Sequence, residues 1–284
     1  MTATAVVPTT TVDVDDRDVT FTPPTRTASV AATTASVASR TIKKFYRTPQ
    51  LVVVSTIQGA MFLLIFRYVF GGAINSGPIP YVDFLVPGYV VTSVLFVGMM
   101  TTSGVAEDME DGFFDRLRSL PVRRPALLTG RAVADTAVAA WSLAVTVAIG
   151  FAVGFRLHTD VWSGLAAFGL CVVFAFAFEW MFICLGLFAG NAQGAQGMSM
   201  LVFPLTFVSS AYVPVDSMPS WLQPIAEHQP ITIMVDAVRA LCLGDPAAAG
   251  LGQSTAHYVV LSLVWSVALV AVFAPIAVMR YRRG

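Results

Sequence analysis

Six stretches of this chain are apolar over enough residues to approach or exceed the width of a bilayer, near 51–70, 84–106, 127–155, 161–189, 197–213 and 257–279. A helix rises about 1.5 Å per residue, so about 20 residues cover the roughly 30 Å of hydrocarbon. The third and fourth stretches are long enough to tilt, and the fifth is short. Each is expected to be helical, because backbone N–H and C=O groups in lipid must be paired within their own segment. Ahead of the first stretch, Arg40, Lys43, Lys44 and Arg47 fall on one side of a helical wheel and Ile42, Phe45 and Tyr46 on the other. This predicts an amphipathic interfacial helix over 40–50, broken at Pro49, although a plain basic flank is the simpler reading. A second amphipathic element lies within 107–125: Phe113, Phe114, Leu117 and Leu120 share a face, Asp115, Arg116, Arg118 and Ser119 occupy the rest, and Pro121 stops it. Residues 1–39, rich in Thr, Ala and Val with Asp13, Asp15, Asp16 and Asp18, read as a disordered tail without a basic-then-apolar leader. The pattern predicts an all-α polytopic membrane protein, with 51–284 forming one six-span domain.

Charge then orients the spans. Fourteen of the seventeen Lys and Arg residues lie in the first fifty residues, in the block Arg116–Arg131, or in the last five residues. Connection 71–83 has no Lys or Arg, and the long connection after the fifth stretch has only Arg239 against Asp216, Glu227, Asp236 and Asp245. Basic loops stay in the cytoplasm, so both termini and 107–125 are expected inside, with 71–83 and 214–256 outside the cell membrane. The composition agrees: 56% hydrophobic and 12% charged residues, where soluble domains carry about 25% charge. A formal net charge of zero gives no hint of a nucleic-acid partner.

The chemistry available is sparse. The only lysines are Lys43 and Lys44 and the first glycine is Gly59, so no P-loop can form and the chain is expected to bind no nucleotide or other cofactor itself. Energy must then come from another subunit or from an ion gradient. His158, His228 and His257 are scattered, without metal or serine-hydrolase spacing, and Cys171, Cys184 and Cys242 read as packing residues. Glu179, in Phe-Ala-Phe-Glu-Trp-Met, is the strongest candidate for an acid at membrane depth, while Asp135 and Arg67 lie nearer span ends. Three readings of Glu179 stand at this point: a helix–helix hydrogen bond, a polar point on a translocation path or dimer interface, and a proton site. The small residues of the run ending at Gly197 suit close helix approach rather than phosphate binding. The 110–121 stripe fits either adsorption to lipid or docking into a groove on a soluble partner.

The order Glu110-Asp-Gly112, then Asp115-Arg-Leu-Arg-Ser-Leu-Pro121, then Gly130-Arg131 and Asp135, resembles the type-2 ABC exporter permeases, in particular the daunorubicin-resistance branch. Pro214, Met218-Pro-Ser-Trp-Leu222, Gln229-Pro230, Ala237-Val-Arg239 and Gly244 extend the likeness, which covers nearly everything from about residue 40. Asp111 and the Phe113-Phe114 pair depart from the more polar residues expected there. The resemblance implies a coupling helix in which Glu110, Gly112, Phe113, Phe114, Arg116, Leu117, Arg118, Leu120 and Pro121 meet an ABC ATPase subunit, present in two copies and carrying the ATP and Mg. It implies a second permease copy, with a homodimer expected, and short external re-entrant helices over 214–245. Trp221, Pro230 and Arg239 would shape an outer gate there, with Arg239 placed to pair with Asp236 or Glu227. The function implied is export of an amphiphilic drug or lipid; an ATPase-independent secondary transporter or channel is the alternative.

Overall fold

The computed structural model describes residues 39, 60–72, 74, 79–112, 124–244 and 251–283. Its helices are, in chain order, α1 (Ala60–Phe70), α2 (Tyr81–Glu110), α3 (Arg124–Ala152), α4 (Val161–Ala189), α5 (Ala192–Met200), α6 (Phe203–Phe207), α7 (Gln223–His228), α8 (Pro230–Leu243) and α9 (Thr255–Arg283), with a 3-10 turn at Val215–Ser217. No strand occurs among the described residues. Four helices, α2, α3, α4 and α9, are long and apolar enough to cross a membrane. At 29 residues, α4 spans about 44 Å at 1.5 Å per residue, more than the hydrocarbon needs.

Local chemistry sets the helix ends. The Asp160 carboxylate accepts from Trp162 N at 3.2 Å and from Ser163 Oγ at 2.6 Å, capping the start of α4. Gly190 ends that helix at φ 77°, a left-handed turn that a side chain would strain, and Asn191 Oδ1 accepts from Gly194 N at 2.6 Å to start α5. Gly112 ends α2 in the same way at φ 64°.

At the centre is α4, which packs against α2, α3, α5, α8 and α9 and is buried on nearly every side of its second half. Small residues permit this. A Cβ on Gly98 of α2 would lie 2.1 Å from the Phe182 ring, and one on Gly186 of α4 would lie 2.6 Å from the Thr102 carbonyl. The outer side of α9 exposes Val260, Leu263, Val264 and Val267, as a helix facing acyl chains does. The C-terminal ends of α2, α4 and α9 and the start of α3 share one end of the bundle, where Arg280 lies over the Phe188 ring.

Two predicted spans differ from continuous helices. Only 60–70 of the first lies among the described residues, and it finishes in a π-helical turn at Phe66–Phe70. The fifth stretch is split: Leu201 N bonds Met198 O and Val202 N bonds Ser199 O, a tightened turn between α5 and α6. Pro204 explains the split, because it has no N–H for the Met200 carbonyl that a continuous helix would pair with it. The Gly- and Gln-rich run is α5 itself, packed against α2 and α4. The second span also runs further than predicted, since Glu107–Glu110 continue α2. The interfacial helix at 40–50, the tail before Ser39 and the stripe at Phe113–Pro121 lie outside the described residues.

Candidate functional site

The bundle end where α2 finishes and α3 begins carries an ion network. Arg131 of α3 donates from Nε to Asp135 Oδ2 at 2.6 Å and from Nη1 to Asp108 Oδ2 of α2 at 2.5 Å. One guanidinium thus ties together the two helices that flank the predicted coupling segment. Asp135 is 6% exposed, so it reaches Arg131 rather than the interface. Of the predicted coupling residues, Glu110 and Gly112 are described, while Phe113, Phe114, Arg116, Leu117, Arg118, Leu120 and Pro121 are not. The Glu110 carboxylate accepts from Ala192 N at 3.4 Å, which sets it at the first turn of α5, and Gly112 supplies the left-handed turn by which the chain leaves α2.

Glu179 belongs to the same network from the other side. It is 1% exposed, inside the protomer between α2, α3 and α4, and within electrostatic reach of Asp135 and Arg131. Thr101 of α2 stands close enough to act on both Asp135 and Glu179. Neither Glu179 oxygen makes a hydrogen bond of ordinary geometry among the described residues.

The predicted gate residues separate. Trp221 is 72% exposed, Pro230 opens α8 after α7, and Arg239 is 1% exposed. Arg239 Nη1 donates to Asp236 Oδ1 at 3.0 Å, as the sequence spacing allows, and Nη2 donates to the carbonyls of Ser210 at 2.8 Å and Phe84 at 3.2 Å. Its guanidinium carbon lies 3.8 Å from the centre of the Phe84 ring. Burial lowers the Arg239 pKa to about 10 against the opposing pull of Asp236, so the side chain remains charged at neutral pH. Burial also pushes the Asp236 carboxyl above its ordinary range. Arg239 thus ties α8 to α2 and to the 208–212 segment.

An aromatic surface lies on another side. Six rings form a closed circuit: Phe62–Phe66 at 5.1 Å, Phe66–Tyr212 at 4.9 Å, Tyr212–Phe207 at 5.3 Å, Phe207–Phe203 at 5.1 Å, Phe203–Phe96 at 5.8 Å and Phe96–Phe62 at 6.1 Å. Tyr212 is fixed by a 2.8 Å hydrogen bond between its hydroxyl and Thr92 Oγ1. The i,i+4 spacing of Phe62 and Phe66, and of Phe203 and Phe207, was legible in the sequence; the closure across α1, α2 and α6 was not. The circuit borders both irregular helices, the π turn of α1 and the break before α6. Non-helical backbone at membrane depth persists where protein buries it or where it lines a path. A separate apolar cavity of about 310 Å³ opens between α2, α3, α4 and α8, lined among others by Val90, Phe151, Phe155, Phe168 and Cys171.

Four helices long and apolar enough to span, around a ring-lined face, mark the class as a multi-pass membrane protein. Residues 33–243 match the family model described as ABC-2 type transporter, and the chain belongs to that family. It is 33% identical over 260 residues to the daunorubicin resistance ABC transporter permease protein DrrB1 of Streptomyces coeruleorubidus, covering 91% of this chain and 89% of that one. It is 23% identical over 258 residues, 89% of each chain, to the probable doxorubicin resistance ABC transporter permease protein DrrC of Mycobacterium tuberculosis. Against the probable multidrug ABC transporter permease YbhR of Escherichia coli it is 27% identical over 176 residues, 58% of this chain and 45% of that one. The family works with an ABC ATPase subunit, which is where ATP hydrolysis belongs.

Proposed function

We propose that this chain is the membrane half of an exporter for amphiphilic compounds with planar aromatic bodies, working as a dimer of permeases with two ATPase subunits. The observation that carries the cargo class is the aromatic circuit. The rings, stacked at two of the six contacts and tilted or edge-on at the others, offer apolar, polarisable surface to another ring, and the Tyr212 hydroxyl among them is already paired with Thr92. The naming of two relatives for resistance to daunorubicin and doxorubicin supports the same class. Both termini and the 113–123 segment face the cytoplasm in this reading. ATP binding closes the ATPase pair, the coupling segment moves α2 and α3 through Arg131, and cargo leaves on the outer side.

The test is co-reconstitution with an ABC ATPase subunit that co-purifies with the chain. A planar amphiphilic dye should stimulate hydrolysis several-fold and cross the vesicle membrane only with ATP, and Phe207→Ala should weaken both effects. Dye movement driven by a proton gradient without the ATPase would establish the secondary-transporter reading instead, and stimulation by oligosaccharides but not dyes would overturn the cargo class.

A further inference from the structure

Hydrogen-bond accounting around Arg131 leaves one acid without a partner. Three carboxylates, Asp108, Asp135 and Glu179, share one guanidinium, and Arg131 is already bonded to the first two. Thr101 has a single hydroxyl proton and two carboxylates within reach, so it can satisfy only one of them. A buried ionised carboxylate with no donor is among the costliest groups a membrane protein can hold. The three acids do not converge as metal ligands do; no such set occurs among the described residues.

Access is graded. Side-chain exposure falls from 17% at Asp108 through 15% at Arg131 to 8% at Asp135, and Glu179 as a whole residue is 1% exposed. The gradient begins at the end that carries the predicted coupling segment. The cavity between α2, α3, α4 and α8 is not lined by Glu179. The charged groups acting on Glu179 are Asp135 and Arg131 of α3; on α9, also packed against α4, Arg280 lies over the Phe188 ring.

We propose that Glu179 is a proton-binding site, loaded from the bundle end marked by Asp108 by way of the Asp135 carboxylate while Arg131 keeps its own protons and holds the two aspartates in place, and that its proton joins α4 to α2 and α3, the helices that flank the predicted coupling segment. The carboxylate takes up one proton to become a carboxylic acid, and the new O–H donates toward Asp135 or Thr101. Releasing the proton restores a second negative charge beside Asp135 and pushes α4 and α3 apart at the joint through which the coupling segment acts. This is independent of which cargo is carried.

Infrared spectroscopy of the permease–ATPase complex in vesicles tests the proposal without a transport assay, because a protonated carboxyl absorbs apart from carboxylates and amides. At neutral pH the wild type should show such a band from a site slow to exchange in deuterated water. Glu179→Gln should abolish it, and Asp135→Asn should shift it by replacing a charged acceptor with a neutral one. Absence of the band in the wild type, or its survival in Glu179→Gln, overturns the assignment. If Glu179→Gln does not fold, Asp135→Asn decides alone: a shifted band supports the site and an unmoved one overturns it.

Discussion

At the residue scale, Arg239 shows how burial changes a role. Its neighbours are Asp236 on its own helix and backbone carbonyls from Phe84 and Ser210, far away in sequence. Removing one member of a buried ion pair strands the other, at a cost of about 3–5 kcal/mol. Arg239→Ala should lower the unfolding stability of the detergent-solubilised permease by that amount and reduce assembly with the ATPase; a gate residue would instead lose transport while assembly survived. Asp160 offers a pH test. The Ser163 hydroxyl holds its exposed carboxyl below the ordinary carboxylate range. Its contribution is therefore complete above the unfolded value of about 3.9 and is lost as pH falls through the lower folded value. Protection factors of the amides in the first turn of α4, taken relative to the intrinsic exchange rate at each pH, should fall at such acid pH in the wild type and already at neutral pH in Asp160→Ala.

Elements meet where side chains are missing. Gly186 sits against the Thr102 carbonyl and Val105, both held by α2, so an added methyl has backbone rather than a flexible tip to displace. Overpacking of this kind costs about 1–3 kcal/mol, and Gly186→Ala should lose that much in reversible unfolding. Gly197 on α5 has nothing within 4 Å of a built Cβ, and Gly197→Ala should be neutral or stabilising by up to about 1 kcal/mol. The break between α5 and α6 belongs to this scale too. The run reads as one apolar span by hydropathy, yet Pro204 interrupts its hydrogen bonding. Hydropathy counts transfer energy and is blind to which carbonyl lacks a donor.

For the whole molecule, the loop charges predict that Ser119→Cys is labelled by impermeant reagent only from the cytoplasmic side. The background for that test lacks Cys171, Cys184 and Cys242, all buried free thiols, so small apolar replacements suit those sites. The family's dependence on a separate ATPase predicts a further outcome. Phe114→Asp or Leu117→Asp should detach or uncouple the ATPase while the permease remains inserted in the membrane, measured by co-purification and cargo-stimulated hydrolysis. Survival of both would return the stripe to the lipid surface.

Four long helices and their approximate limits were legible in the chain, because apolar run length acts over a few neighbours; the short helices of 214–245 were expected from the family resemblance. So was the pairing of Arg239 with Asp236, three residues apart on one helix face. Arg131 and Asp135 entered the sequence reading only as residues of the family likeness; their i,i+4 ion pair, and the Asp108 carboxylate that shares the guanidinium from another helix, are seen in the structure. The closed circuit of six rings, the burial of Arg239 beneath Phe84 and the stranding of Glu179 depended on tertiary structure. Each depends on how helices are rotated and set in height against one another, and a side chain's partners across such an interface are fixed by packing that no single segment encodes.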